Sequence, residues 1–401
     1  MRKYSWGVAI SFYFLGVAAE NEGFIADTNN VYSAVDEKNI SQGNRFDIVA
    51  EKIAGTCFDG KNRPSLEKYS KFIRNAWSRL YKDSLGHVPG WTKKNLSKYI
   101  EKFDTLFYPF GGPDVSYAIS FFPNAKRYVL VGLEPLGNFD QIESSLKSDE
   151  YYGSLQTAFS TYLEKGYFVT SEMQKHLSNK SVRGGLNLVI LALKKLGFGI
   201  QKIESCFVNA NGEIVQFDQD GIDCVKLICQ KNSQEKEIYY IRANLDNENV
   251  RLDNLIKFVK QFEFATFVKS SSYAMHNRNF SKIRSFILDQ TNCILQDDTG
   301  VPFNFFRKNW DIHIFGDYIE PTLAVFHVYK QNSLKEYYLK NKAGAIPFPI
   351  GYRYTRLVPK ERIAQRFTPN LIFVISRRKL MERQLNELKN RLIKKKCNCY
   401  R

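Results

Sequence analysis

The sequence predicts a mixed α/β fold, and three observations carry that prediction. A strand–turn–helix–strand unit occupies residues 104–137, short β-rich runs punctuated by Asn-Gly and Asp-Gly fill residues 203–242, and apolar residues recur at helical spacing over residues 64–103. At 401 residues, with 44% hydrophobic and 25% charged content, the chain is long enough to bury a large core. The expected architecture has α/β and some α+β character. It comprises a helical N-terminal block, a mixed sheet seeded by the βαβ unit, an antiparallel β extension and a basic C-terminal helix. The corresponding divisions are a signal peptide at 1–19, a helical and α/β portion at 20–200, an α+β portion at 201–375 sharing one core with the first, and a basic amphipathic helix and tail at 376–401.

In the βαβ unit, residues 105–110 form a short aromatic and β-branched run suited to a strand buried on both faces. Gly111-Gly112 permits a tight turn, Pro113 suits a first helical position, and Asp114 falls in the first helical turn beside the positive end of the dipole. Pro123 stops the helix near Phe122. Residues 128–133 form the second strand, which Glu134-Pro135 ends. A parallel crossover follows from the length of this connection. Glu134 lies 22 residues after Gly112, close to the spacing at which an acid meets a ribose hydroxyl in dinucleotide-binding folds. Gly111, Gly112, Asp114 and Glu134 are therefore the candidate cofactor-binding residues. G-x-G-x-x-G is absent, however, and a proline stands where the backbone would have to donate, so a plain structural crossover explains the stretch better, and no cofactor is assigned.

In the helical block, Pro64-Ser65 opens a helix with Leu66, Tyr69, Phe72, Ile73, Trp77 and Leu80 on one face, and Thr92 is expected to cap the next. Further helices are expected at 149–165, ended by Gly166, at 186–196, ended by Gly197, and at 253–264. Residues 203–208, 213–217, 223–230 and 236–242 read as an antiparallel meander. Cys224 and Cys229 point to opposite faces of one strand, which makes Cys206 the better partner for either. The acidic turn residues near 218 fail the calcium-loop pattern, and no metal is assigned.

The densest polar stretch, residues 269–300, gathers Ser271, His276, Arg284, Asp297 and Asp298. Serine, histidine and acid are the ingredients of a nucleophile, a base and its orienter. These five residues are the candidate catalytic set of a cofactor-independent hydrolase, with Ser271 or Ser272 attacking and Arg284 holding an anion. No G-x-S-x-G elbow accompanies them. Asp298-Thr299-Gly300 spells an aspartic-protease triplet, but it occurs once and Val301 follows it. His313 and His327 lie in strand-like runs, and Ser333 with Glu336 spells a capping box.

The N-terminus carries Arg2 and Lys3, an apolar run at 6–17, and small residues Val17 and Ala19 before Glu20. That pattern predicts a secretory signal cleaved near Ala19 and an exported soluble protein, periplasmic or extracellular. Residues 352–401 hold fifteen Lys or Arg against three acids, so twelve of the seventeen net positive charges sit in the tail. The charge therefore argues against a nucleic-acid-binding body and for a basic helix over 376–396, suited to an anionic membrane surface or an acidic partner. Seven cysteines, including Cys397 and Cys399, would in part pair after export. The leading functional expectation is a non-enzymatic exported protein that binds a ligand or a surface partner. The alternative is the hydrolase built on 269–300, and the third is membrane-surface association through the terminal helix.

Overall fold

A computed structural model of the chain describes residues 44–57, 63–167, 182, 184–306, 308–321, 324–353, 370–382 and 385. The strands are β1 (Thr105–Tyr108), β2 (Arg127–Gly132), β3 (Gly199–Val208), β4 (Ile214–Val215), β5 (Ile222–Lys231), β6 (Gln234–Arg242), β7 (Phe264–Val268), β8 (Cys293–Gln296), β9 (Trp310–Phe315) and β10 (Leu371–Ser376). They form one sheet in the order β4-β3-β5-β6-β2-β1-β7-β8-β10-β9. The five central strands, β6-β2-β1-β7-β8, run parallel, while β5 and β10 pair antiparallel to β6 and β8. The fold is mixed α/β, as the sequence predicts.

Burial on both faces explains why β1, β7 and β8 read as apolar runs without alternation. One face carries Leu106, Tyr128, Leu130, Tyr240 and Phe267 against the helices Pro64–Asp83, Val115–Phe121, Asp149–Lys165 and Leu186–Lys195. The other carries Phe107, Val129, Val131, Ile241 and Val268 against Leu252–Lys260 and Ser281–Gln290. Leu66, Tyr69, Ile73, Trp77 and Leu80 are buried as the helical stripe requires, and Phe72 is half-buried. Gly166 ends its helix in the left-handed region at φ 68°, its N–H returning to Tyr162 O at 2.8 Å.

The chain order gives the sheet a topological switch. From β1 the chain steps outward through β2 and, after the β3–β5 excursion, to β6; it then returns to lay β7 on the opposite side of β1. The crevice beyond the carboxyl ends of β1 and β7 is where open sheets of this kind receive ligands.

Several local expectations need correction. Asp114 is the N-cap, not a residue of the first turn; its carboxylate accepts from Tyr117 N, which leaves Pro113 outside the helix. Thr92 lies inside Val88–Asn95 instead of capping it. Residues 236–242 belong to β6, which pairs antiparallel with β5 but parallel with β2, so the expected meander merges into the central sheet. The β5–β6 turn is made by Asn232-Ser233 at φ 50° and 61°, a left-handed pair without glycine. The helix at 332–340 starts at Asn332 behind Gln331, so Ser333 is not the cap and the box does not form. Residues 324–329, which read as a strand, form a 3-10 segment, and the helix expected to reach Phe264 ends at Lys260. The stretch expected to be a signal peptide (1–19), most of the basic tail, Cys397 and Cys399 lie outside the described residues, although 377–382 are helical after β10. Among the described residues no helix is long and apolar enough to cross a membrane.

Candidate functional site

Polar side chains collect at the carboxyl ends of β1, β2, β7 and β8, and they fall into two groups of opposite character. Backbone strain marks the same rim. Phe110 after β1 and Ser270, Ser272 and Tyr273 after β7 all hold positive φ, between 52° and 62°, where residues with a Cβ rarely settle.

The first group centres on Asp114 at the switch point. Its carboxylate meets Lys269 Nζ at 2.8 Å and accepts from Tyr108 OH at 3.1 Å, Tyr162 OH at 2.8 Å, Ser116 Oγ at 3.2 Å and Tyr117 N at 3.4 Å. The ion pair is almost wholly excluded from solvent, at 2% and 1% side-chain exposure. Lys269 also donates to Gly166 O at 2.5 Å, and its ammonium sits 3.8 Å from the Tyr117 ring centroid. Burial pulls the lysine below its ordinary pKa, and the Asp114 charge opposes that pull. The pair binds β1 to β7 across the switch, and each of its charges is met by fixed partners.

The same rim continues onto β8. Asp297 accepts from Ser270 N at 2.9 Å, Thr299 N at 3.0 Å and Thr299 Oγ1 at 2.5 Å. Burial, reinforced by the charge of Asp298, raises its pKa to about 6. Asp298 Oδ2 accepts from Tyr273 OH at 2.6 Å, and the Tyr273 ring stacks on Tyr329 at 4.9 Å. Ser271 Oγ donates to Thr299 O at 2.6 Å, and Ser272 Oγ lies 2.8 Å from Tyr352 OH. His276 packs edge-on against Tyr273; burial lowers its pKa to about 4, and its Nε2 has no hydrogen-bond partner. Arg284 donates to Met275 O and, at 3.3 Å, to Asn277 O, which pins the turn carrying His276. The structure thus gathers Ser271, His276, Arg284, Asp297 and Asp298 in one neighbourhood. The His276 ring meets the backbone of Asp298 and Gly300, but serine and histidine are not joined, because the Ser271 hydroxyl is committed to the Thr299 carbonyl and Nε2 has no partner. Among the described residues no group of His, Cys, Asp and Glu is arranged to hold a metal ion. His313 lies on β9 against Tyr99 and Phe373, and His327 lies in the 324–329 segment.

The second group lies one strand over, at the end of β2. Glu134 is 4% exposed, and its Oε2 has no hydrogen-bond partner. Burial raises its pKa, and the backbone N–H groups of Glu134 and Leu133 oppose the rise in part. The carboxylate lies over glycine backbone: a Cβ at Gly112 would stand 3.0 Å from Oε2, and one at Gly132 would collide with it. Gly112, at φ 52°, donates its N–H to Val131 O at 3.0 Å, so the glycine turn folds back over β2. Tyr240 on β6 completes the group. Its hydroxyl is also buried without a partner, against Gly185, and burial together with the Glu134 charge raises its pKa. The segment behind it is fixed by Gly185 N to Pro135 O and Leu186 N to Leu136 O, both 2.8 Å. Of the sequence-predicted set, Gly112 and Glu134 meet here, Gly111 packs on the Tyr108 ring, and Asp114 belongs to the first group.

Sequence reasoning did not single out Lys269 as the partner of Asp114, nor Tyr240. A lysine directly after a nearly all-apolar strand (FATFV) was the available signal for the first. Tyr240 carries none, since it is one aromatic among several in a strand. Compared with known proteins, the chain matches no family model, and no curated protein shows significant sequence similarity to it.

Proposed function

We propose that the protein binds a small ribose-bearing ligand at the carboxyl ends of β1 and β2, with Glu134 receiving the vicinal hydroxyls. The observation that carries this reading is the buried Glu134 carboxylate with an acceptor oxygen left without a donor. An unmet buried acceptor costs about 1–3 kcal/mol, and more when charged, so a fold retains one where something else supplies the donor. A carboxylate with a free oxygen accepts from a vicinal diol, and the adjacent Tyr240 hydroxyl can both donate and accept. Its place in the topology supports a ribose over other polyols. An acid after the second parallel strand, beside a glycine turn after the first, is the arrangement by which open α/β sheets grip the sugar of a nucleotide. Close backbone approach at Gly112 and Gly132 leaves the carboxylate, not a side chain of the turn, as the recognising group.

The test is isothermal titration of the full chain with ribonucleosides and their 2′,3′-dideoxy analogues. Ribonucleosides should bind, with the dideoxy forms weaker by at least about tenfold, the scale expected when one charge-assisted hydrogen bond is lost. Glu134→Gln should bring ribonucleosides down to the dideoxy level. Equal affinity for both sugars would remove the reading.

A further inference from the structure

We infer that the group this ligand extends from its ribose toward the crevice is neutral or cationic and is not a phosphate. The inference rests on the ribose reading above and adds to it the charge class of the ligand.

In a nucleotide-binding α/β fold the phosphates sit on the N-terminus of the helix after β1, where unpaired backbone N–H groups and the positive end of the dipole await an anion. Here that position is already filled. Asp114 caps the helix with its own carboxylate, taking Tyr117 N, Ser116 Oγ and Tyr162 OH. The helix is also only about two turns long, Val115–Phe121, so its dipole is small. Pro113 removes one more N–H from the turn. A phosphate placed there would meet a fixed carboxylate where the fold ordinarily offers donors.

The wider rim carries the same sign. Among the described residues, Asp114, Glu134, Asp297 and Asp298 are buried at the carboxyl ends of the parallel strands, and Lys269 is the one buried cation there; it balances Asp114. Lys269 is bonded to Asp114 at 2.8 Å and Gly166 O at 2.5 Å and faces the Tyr117 ring, so its donors are engaged within the protein. Arg242, at the end of β6, is exposed, but it lies on the far side of Glu134 from the switch point. Among the described residues this rim is therefore acidic, although the chain as a whole carries a formal charge of +17. Such a crevice repels a phosphate and attracts an ammonium or a comparable cation.

The experiment titrates the full chain with three forms of each common ribonucleoside: the 5′-hydroxyl, the 5′-monophosphate and the 5′-amino-5′-deoxy compound. For the best-bound base, the amino form should bind at least about tenfold tighter than the phosphate, with the hydroxyl form between them, as expected for reversing a charge near partly buried carboxylates. Raising the ionic strength should narrow that spread. A monophosphate that binds as tightly as the hydroxyl form, and loses its affinity in Glu134→Gln, would overturn this inference while leaving the ribose site standing. If none of the forms binds, both the ribose site and this inference fall. Asp298→Asn sharpens the test, because it should shrink the preference for the amino form while leaving the ribose-to-dideoxyribose ratio unchanged.

Discussion

The Asp114–Lys269 cluster and the Glu134–Tyr240 nook lie at the ends of adjacent strands, both buried, both built from a carboxylate and tyrosine. They differ in one respect. At Asp114 every charge is met: five donors converge on the carboxylate, and the lysine has a backbone carbonyl and an aromatic face besides. At Glu134 an acceptor oxygen and a neighbouring hydroxyl are both left without partners. A polar network completed from within is architecture, since it fixes one arrangement of β1 against β7 and has nothing left to offer a ligand. A buried polar pair left incomplete keeps unused hydrogen-bonding capacity.

The largest effect that distinguishes the two is on stability. Lys269→Met leaves the Asp114 carboxylate buried without its counter-charge and should cost about 3–5 kcal/mol in urea unfolding. The double variant Asp114→Asn/Lys269→Met should recover much of that loss, because no uncompensated charge then remains. A single-variant cost below about 1 kcal/mol would mean that the pair does not hold the switch point together.

That pair also shows how far the sequence could be read. Asp114 was legible as a helix-start residue, and the glycine turn and both strands of the βαβ unit were legible from burial and punctuation. The lysine that answers Asp114 sits 155 positions later, and only the return of the chain to β7 on the far side of β1 brings the two together. Local patterning marks Lys269 as a lysine after a buried strand but does not say which acid it meets. The same holds for Glu134: its spacing from Gly112 was visible, but the missing donor was not, because satisfaction is a property of packed neighbours. The hydrolase set illustrates the converse. Ser271, His276 and Asp298 are close in sequence, and the turn that gathers them commits Ser271 Oγ to the Thr299 carbonyl instead of to the histidine. The antiparallel pairing of residues 203–242 was legible, but the parallel pairing of residues 236–242 with β2 was not, because a strand's alternation says nothing about which neighbour stands on its other edge.

The second effect follows pH. Asp297 is raised from 3.8 to about 6. A carboxyl whose folded pKa lies above its unfolded one contributes stability that is whole below the unfolded value and is lost as pH rises through the folded value. Relative to Asp297→Asn, the wild type should therefore lose up to about 3 kcal/mol between pH 4 and 7. Taking the difference between the two proteins cancels His276, whose pKa is lowered to about 4 and whose contribution runs the other way, falling as pH drops. A flat difference curve would show that Asp297 is not held out of water in solution.

Removing one hydroxyl from each cluster sharpens the comparison further. Tyr162→Phe deletes a 2.8 Å bond to the Asp114 carboxylate and should cost about 1.5–3 kcal/mol. Tyr240→Phe deletes a hydroxyl that has no partner and should stay within about 0.5 kcal/mol of the wild type, measured in the same urea series. Equal costs would erase the distinction between a completed network and an incomplete one.

The last stability effect is small in acid, and it belongs to Glu134→Gln. Burial raises the Glu134 pKa, so this carboxyl contributes stability that is present below its unfolded value and lost as pH rises through the folded one. Glutamine keeps the shape without that loss. The variant should match the wild type within about 1 kcal/mol in acid and gain on it steadily toward alkaline pH. Paired with a drop in ribonucleoside affinity, this would separate a residue kept for binding from one kept for folding, since a structural carboxylate of the Asp114 kind must fail the first half of that test. A Glu134→Gln protein destabilised as severely as Lys269→Met would place Glu134 among the architecture, and the two ends of β1 and β2 would then no longer differ in kind.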